Sequence, residues 1–263
     1  MGNYKQQVLN DFNHRSSDSD FHRRFALRLV DFAGLKAGQR VLDVATGTGL
    51  AAIPAAQAVG PTGYVVGTDF AVGMLQQARR KVEPLNLTNI AFEEADADEQ
   101  ALQESQFDTI LCSSAIVYFV NIPVVLRRWY AALKPEGRVA FSCFAETSPS
   151  AGVLFRAVVR SHGIVIPNPN ELLGKPDRCR QNLKTAGFSN IEIVTEQFGS
   201  YLQEGERAWN GNANSAFGLQ QASWSAEELA HCKQAYLAEI NKASTEKGYW
   251  NDMTAFFVTA QKS

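Results

Sequence analysis

The chain has 263 residues, of which 45% are hydrophobic and 20% charged, with a formal net charge of −2. That balance excludes a disordered chain and gives no reason for a nucleic-acid backbone or an anionic membrane as partner. No stretch approaches the roughly 18 apolar residues of a membrane span, and the first residues lack an apolar leader. A cytoplasmic protein with no membrane insertion is therefore expected. Cys112, Cys143, Cys179 and Cys232 are scattered, without metal-ligand spacing, so no metal is expected.

In chain order, residues 4–34 form a helical cap in two pieces. Val8, Leu9 and Phe12 share one face; Asp18-Ser19-Asp20 supplies N-cap candidates, and Phe21, Phe25, Leu29 and Phe32 form the next stripe before Gly34. From residue 40 short apolar strands alternate with helical segments. Strands are predicted at 40–45, 64–69, 90–94, 107–112 and 138–144, with helices near 48–59, 72–83 and 121–133. Lys134-Pro135-Glu136-Gly137 reads as the turn before strand five. Near-continuous apolar strands alternating with helices mean a parallel sheet covered on both faces.

After residue 145 the rhythm breaks. Helices are expected at 150–162 and 178–186, a sixth strand at 191–198, mostly helix over 204–247, and a last strand at 254–260 pairing antiparallel with the sixth. Ser225 and Glu228 have capping-box spacing, and Leu229, Tyr236, Leu237 and Ile240 form an apolar stripe. The organisation expected is one domain over 1–263. It has a cap at 1–34, a core at 35–145, a helical lid at 146–190 and 200–250, and edge strands at 190–199 and 252–262.

The chemistry concentrates at one strand, tight turn and helix. Val41-Leu42-Asp43-Val44-Ala45-Thr46-Gly47-Thr48-Gly49 ends a strand in an acid and a glycine turn, which lets bare backbone approach a nucleotide-like ligand. A P-loop fails, because Gly49 is followed by Leu50-Ala51-Ala52 rather than Lys-Ser/Thr. Gly47-x-Gly49-x-x-Ala52 also satisfies the relaxed dinucleotide pattern. Asp69 ends strand two, where its carboxylate accepts from ribose hydroxyls, and Asp96 ends strand three, where it accepts from an adenine amino group. Such a rim suits a cationic, phosphate-free ligand, as does the lack of any Lys or Arg from Gly47 until Arg79.

On these residues the sequence resembles a class I S-adenosylmethionine-dependent methyltransferase over about 40–200 and the last strand. Gly67-Thr68-Asp69-Phe70-Ala71-Val72-Gly73-Met74-Leu75, Glu94-Ala95-Asp96-Ala97, Phe107-Asp108, Cys112-Ser113-Ser114 and Leu133 to Gly137 carry the remaining motifs. Within the family it is similar to quinone-biosynthesis C-methyltransferases and related small-molecule enzymes, although Val117-Tyr118-Phe119 stands where many of them have a His-His pair.

The resemblance implies a Rossmann-like three-layer α/β fold with a seven-stranded, mostly parallel sheet whose last strand is antiparallel. It also implies S-adenosylmethionine as cofactor, S-adenosylhomocysteine as product, and a small aromatic or hydrophobic acceptor methylated at C, O or N. The cofactor-binding set it implies is Asp43, Ala45, Gly47, Gly49, Asp69, Phe70, Met74, Asp96, Ala97 and Ser113. By position, Tyr4, Phe12, Phe119 and Trp209 are expected at the acceptor, with His14 and Tyr118 as catalytic candidates and His162 as the second-choice base. Two other readings stay open: an NAD-dependent oxidoreductase on the same turn, and a methyltransferase-like partner protein without activity.

Overall fold

The computed structural model describes residues 2–13, 19–219 and 224–263, which divide into two compact units. One comprises Met1–Cys143, Pro176–Val194 and Phe256–Ser263; the other comprises Phe144–Lys175 and Thr195–Ala255.

The first unit opens with helices α1 (Gly2–Asn13) and α2 (Asp20–Ala33). Ser19 caps α2 by accepting from the His22 amide, and Gly34 ends it in a left-handed conformation, as the sequence pattern predicts. The β/α series follows as β1 (Arg40–Val44), α3 (Ala52–Val59), β2 (Tyr64–Asp69), α4 (Val72–Val82), β3 (Ile90–Glu94), β4 (Phe107–Cys112), α5 (Ile122–Ala132) and β5 (Leu133–Phe144). Further along come α6 (Ser150–Ser161), α7 (Pro176–Thr185), β6 (Ser189–Gln197), β7 (Ser200–Leu202), α8 (Gly205–Ala213), α9 (Ala226–Ala243), β8 (Tyr249–Asn251) and β9 (Thr254–Gln261).

The main sheet has seven strands in the order β3-β2-β1-β4-β5-β9-β6, parallel except for the last strand. The α/β class expected from the sequence is therefore present. Val41, Leu42 and Val44 of β1 are fully buried, as a central parallel strand covered on both faces requires. Asp108, part of the resemblance, is a tie at the other end of the sheet. It accepts the Arg40 amide at 2.7 Å and the Lys134 ammonium at 2.8 Å, fixing the starts of β1 and β5.

Several boundaries differ from the sequence expectation. The helix after the glycine turn begins at Ala52 rather than residue 48, because positions 45, 47 and 49 all take positive φ and keep the chain out of the helical region. Lys134-Pro135-Glu136-Gly137 is a bulge within β5: Phe107 faces Leu133 and Thr109 faces Arg138, so the residues between are extruded.

In the second unit, α6, α8 and α9 enclose a core of Phe155, Val159, Trp209, Cys232, Tyr236 and Ile240. The capping box at Ser225 and Glu228 is present. Leu229, expected on the buried stripe, is exposed, and Cys232 takes the place one turn later. The β7–β8 pair was not anticipated, since three-residue strands carry too little alternation to register. No helix among the described residues is long and apolar enough to cross a membrane.

Candidate functional site

The carboxyl ends of β1, β2, β3 and β4 lie side by side in the first unit, which is where open α/β sheets bind ligands. The turn leaving β1 is held from beneath. The Asp43 side chain is 1% exposed and accepts from the Thr46 hydroxyl at 2.6 Å, with the Ala52 amide at the start of α3 close enough to favour its charged form. Burial, opposed by those two groups and reinforced by the charge of Asp69, pushes its carboxyl up to about 7. Asp43 is thus a brace for the turn, with its charge beside the N-terminus of α3.

The turn itself takes positive φ at Ala45 (53°), Gly47 (56°) and Gly49 (80°). A side chain on Gly49 would be strained by that φ, and its Cβ would stand 3.2 Å from Phe92 and 3.3 Å from Ile53. Ala45 pays for its conformation without that exemption; such outliers in an overdetermined turn mark functional backbone.

Asp69 is the keystone of the adjoining edge. One carboxylate oxygen accepts the Gly47 amide at 2.8 Å, and the other accepts the Ala71 amide at 2.8 Å. Burial raises its carboxyl above the usual range, and the amides of Ala71, Gly47 and Phe70 oppose that. Each oxygen keeps a further acceptor position, so the residue can also receive two hydroxyl donors. Phe70 follows it directly, and Met74 is fully buried on α4.

Asp96 follows β3. One of its oxygens accepts the Asp98 amide at 2.9 Å, and the other pairs with Lys5 of α1 at 2.5 Å. Lys5 also stands 3.3 Å from Asp98 and 3.7 Å from Glu99. Ala97 is half-buried between these acids. Asp98 in turn accepts the Val120 and Asn121 amides, joining the β3 edge to the loop before α5.

Helix α1 runs across this edge. Its Asn13 side chain accepts the Gly73 amide at 3.0 Å, and a Cβ on Gly73 would lie 2.5 Å from the Asn13 carbonyl. Gly73, singled out only within a motif, is therefore the clearance that lets α1 dock on α4. The Tyr4 hydroxyl donates to the Tyr118 carbonyl at 3.4 Å, and Phe12 meets the Tyr118 ring edge-on at 5.3 Å. Burial, with Tyr118 and Asp98 nearby, pushes the Tyr4 phenol well above its usual range. Phe119 packs edge-on against Trp129 at 6.1 Å.

Past β4, Ser113 is half-buried, and Ser114 takes a φ of 57° and donates its amide to the Ser142 hydroxyl at 3.0 Å. The Ser114 hydroxyl oxygen is buried with no hydrogen-bond partner, an orphan at the mouth of the crevice.

Of the expected site residues, one is not described and one is packed in the second unit. His14 falls outside the described residues. Trp209 is 4% exposed in the second unit's core, 5.2 Å from Phe155 and 5.6 Å from Tyr236 by ring centroids. The sequence reading also missed cations at the edge. Lys81 donates to the Thr48 carbonyl at 3.1 Å, and Lys5 reaches Asp96 from 91 positions away. Neither is near the turn in sequence, so spacing carried no signal.

The arrangement fits an adenosyl cofactor without phosphates. It offers carboxylates at successive strand ends, a backbone-lined turn and an unsatisfied buried hydroxyl, while Lys81 is spent on a carbonyl of the turn itself.

A methyltransferase domain family matches residues 35–159. Aklanonic acid methyltransferase DauC of Streptomyces sp. (strain C5) is 34% identical over 53% of this chain and 66% of its own length. Ubiquinone/menaquinone biosynthesis C-methyltransferase UbiE of Pseudomonas aeruginosa (strain LESB58) is 29% identical over 58% of each chain. The chain thus spans 58–66% of the length of these relatives. Among solved structures, phosphoethanolamine N-methyltransferase 2 of Haemonchus contortus, in complex with phosphomonomethylethanolamine and S-adenosylhomocysteine, shares the fold. Its TM-score is 0.57 at 20% identity, covering 90% of this chain and 52% of that one.

The fold and the site define a nucleotide-cofactor α/β protein. The matched domain and these relatives support a class I S-adenosylmethionine-dependent methyltransferase of small-molecule type, a class whose cofactor is S-adenosylmethionine.

Proposed function

We propose that the chain transfers the methyl group of S-adenosylmethionine to a small aromatic or hydrophobic molecule. The observation that carries this reading is Asp69, clasped between the Gly47 and Ala71 amides with acceptor positions to spare. When bound, S-adenosylmethionine supplies an electrophilic methyl group on a positively charged sulfur.

In this reading Asp69 takes the ribose hydroxyls, and Asp96 with the amide of Ala97 meets the adenine edge. Phe70 and Met74 flank the base. The turn at Ala45, Gly47 and Gly49 admits the methionine moiety, with Asp43 bracing that turn from below. The Ser113 carbonyl accepts from the methionine amino group. Tyr4, Phe12, Tyr118 and Phe119 gather aromatic surface where α1 crosses the loop after β4, which suits a planar acceptor and excludes water. Positioning supplies most of the acceleration in such an in-line displacement. Where the acceptor must lose a proton, His14 is the base assigned here, because an imidazole titrates near neutral pH.

The relatives' names, an aromatic-acid enzyme and a quinone-pathway C-methyltransferase, support a small-molecule acceptor. The test is product formation: S-adenosylhomocysteine released from S-adenosylmethionine in the presence of a panel of phenols, quinols and aromatic acids. Turnover with at least one acceptor, reduced by H14A or Y118F, is expected. Cofactor binding with no turnover across the panel would count against the acceptor class.

A further inference from the structure

The second unit brings together two imidazoles at the edge of its apolar core. His162 ends α6, and His231 lies on α9, one residue before the buried Cys232. Their ring centroids stand 5.6 Å apart, with the ring planes at 87°. His162 is half-buried and His231 exposed, so both reach solvent. They are well apart in the chain, and no spacing pattern announces the pair. The two helices are held in register by packing, since Phe155 and Val159 of α6 share a core with Cys232 and Tyr236 of α9. The pair therefore rests on rigid elements rather than on a loop.

One of the rings is already oriented. The His162 Nδ1 lies 3.0 Å from the Val158 carbonyl oxygen, which can only accept, so this nitrogen donates. Nε2 then carries the lone pair of the uncharged ring. A ring N–H spent on a backbone carbonyl is how proteins set the tautomer and direction of a metal-binding histidine. The backbone is tied at the same point, where the His162 amide donates to the Val159 carbonyl at 3.1 Å. With metal–nitrogen bonds of about 2.0–2.1 Å, two imidazoles on one tetrahedral ion have ring centres roughly 5 Å apart. Rotation of the exposed His231 side chain alone covers the difference from the observed spacing.

We propose that His162 and His231 form a binding site for a divalent transition-metal ion of the nickel and zinc kind. Imidazole nitrogen suits such ions, whereas magnesium and calcium take oxygen ligands. Among the described residues no group of three or more His, Cys, Asp or Glu side chains is placed to hold a metal, so this is a two-ligand site with water in the other positions. Such a site exchanges its ion with solvent and clips the end of α6 to α9. An ion that binds only the folded unit raises its stability by mass action. The site does not depend on the methyltransferase reading, in which no metal takes part.

The experiment titrates the untagged full chain with nickel chloride by calorimetry, with magnesium chloride as the control, for wild type, H162Q and H231Q. Thermal unfolding of each is followed with and without nickel. Wild type is expected to bind one nickel ion with a dissociation constant below about 100 μM, to ignore magnesium, and to unfold at a higher temperature with nickel present. Each variant should bind nickel at least tenfold more weakly and lose the nickel-induced shift, while unfolding without metal as wild type does. H231Q changes an exposed residue and decides the matter by itself should H162Q not fold. No saturable nickel binding by wild type up to about 1 mM, equal binding of magnesium, or wild-type nickel affinity in either folded variant would overturn the proposal. The last result would put the ion on a single imidazole or on another residue altogether.

Discussion

Asp69 accepts the Gly47 amide across the gap between β2 and the turn leaving β1, at 2.8 Å. That bond ties the two parts of the crevice into one unit, because Asp69 also holds the first residues toward α4 through the Ala71 amide. The turn is therefore built by its neighbours as much as by its own glycines.

Its sensitivity follows. Gly49→Ala places a Cβ in a left-handed conformation against Phe92 and Ile53. We expect a loss of about 1–3 kcal/mol in denaturant unfolding, together with weaker S-adenosylhomocysteine binding. Unchanged stability would mean the turn relaxes without cost.

Gly73→Ala is the opposite kind of change. At a helical position alanine is favoured by about 1 kcal/mol, yet here its Cβ would collide with the Asn13 carbonyl at 2.5 Å. The variant should release α1, seen as faster amide exchange over residues 2–13, while α4 stays protected. Unaltered exchange in α1 would refute the docking role.

Lys5 reads out electrostatically. Its bridge to Asp96, Asp98 and Glu99 joins α1 to the acid expected at the adenine edge. Partly exposed pairs are worth up to about 1 kcal/mol, so Lys5→Gln should weaken S-adenosylhomocysteine binding about two- to fivefold. The difference should shrink at about 0.5 M salt, where screening is strong. A difference independent of salt would point to packing instead.

Asp43 predicts a pH dependence. Its carboxyl stands at about 7 in the folded chain, against an ordinary value of 3.8. Between those values the folded state holds a proton that the unfolded chain has released, so this residue's contribution to stability falls as pH rises from about 4 to 7 and is constant above. The stability of Asp43→Asn relative to wild type should therefore rise across that window, by a few kcal/mol at most. Denaturant titrations at a series of pH values check it; a flat difference would contradict the raised carboxyl.

Features built from neighbouring residues are legible in the sequence, and features built from remote partners are not. Asp43, Gly47 and Gly49 were legible because the turn is local, and its strand, glycines and following helix fall within 20 residues. Asp69 was legible as an acid ending a strand, though the clasp on Gly47 was not. What escaped notice depends on remote partners. Lys5 meets Asp96 across 91 positions, and Gly73 is a glycine because of Asn13, 60 positions earlier. Lys134 to Gly137 have the composition of a turn, but pairing on either side absorbs them into β5 as a bulge. Trp209 is expected at the acceptor from its position along the chain, while its ring is spent on Phe155 and Tyr236.

In the proposed function the crevice holds an adenosyl cofactor through Asp69. Calorimetric titration with S-adenosylhomocysteine tests it on wild type and on Asp69→Ala. Saturable one-site binding by wild type, weakened at least thirtyfold in the variant, is the expected result, since two hydrogen bonds to a charged acceptor are lost at about 1.5–3 kcal/mol each. No heat of binding by folded wild type at high micromolar S-adenosylhomocysteine, or equal binding by the variant, would contradict it.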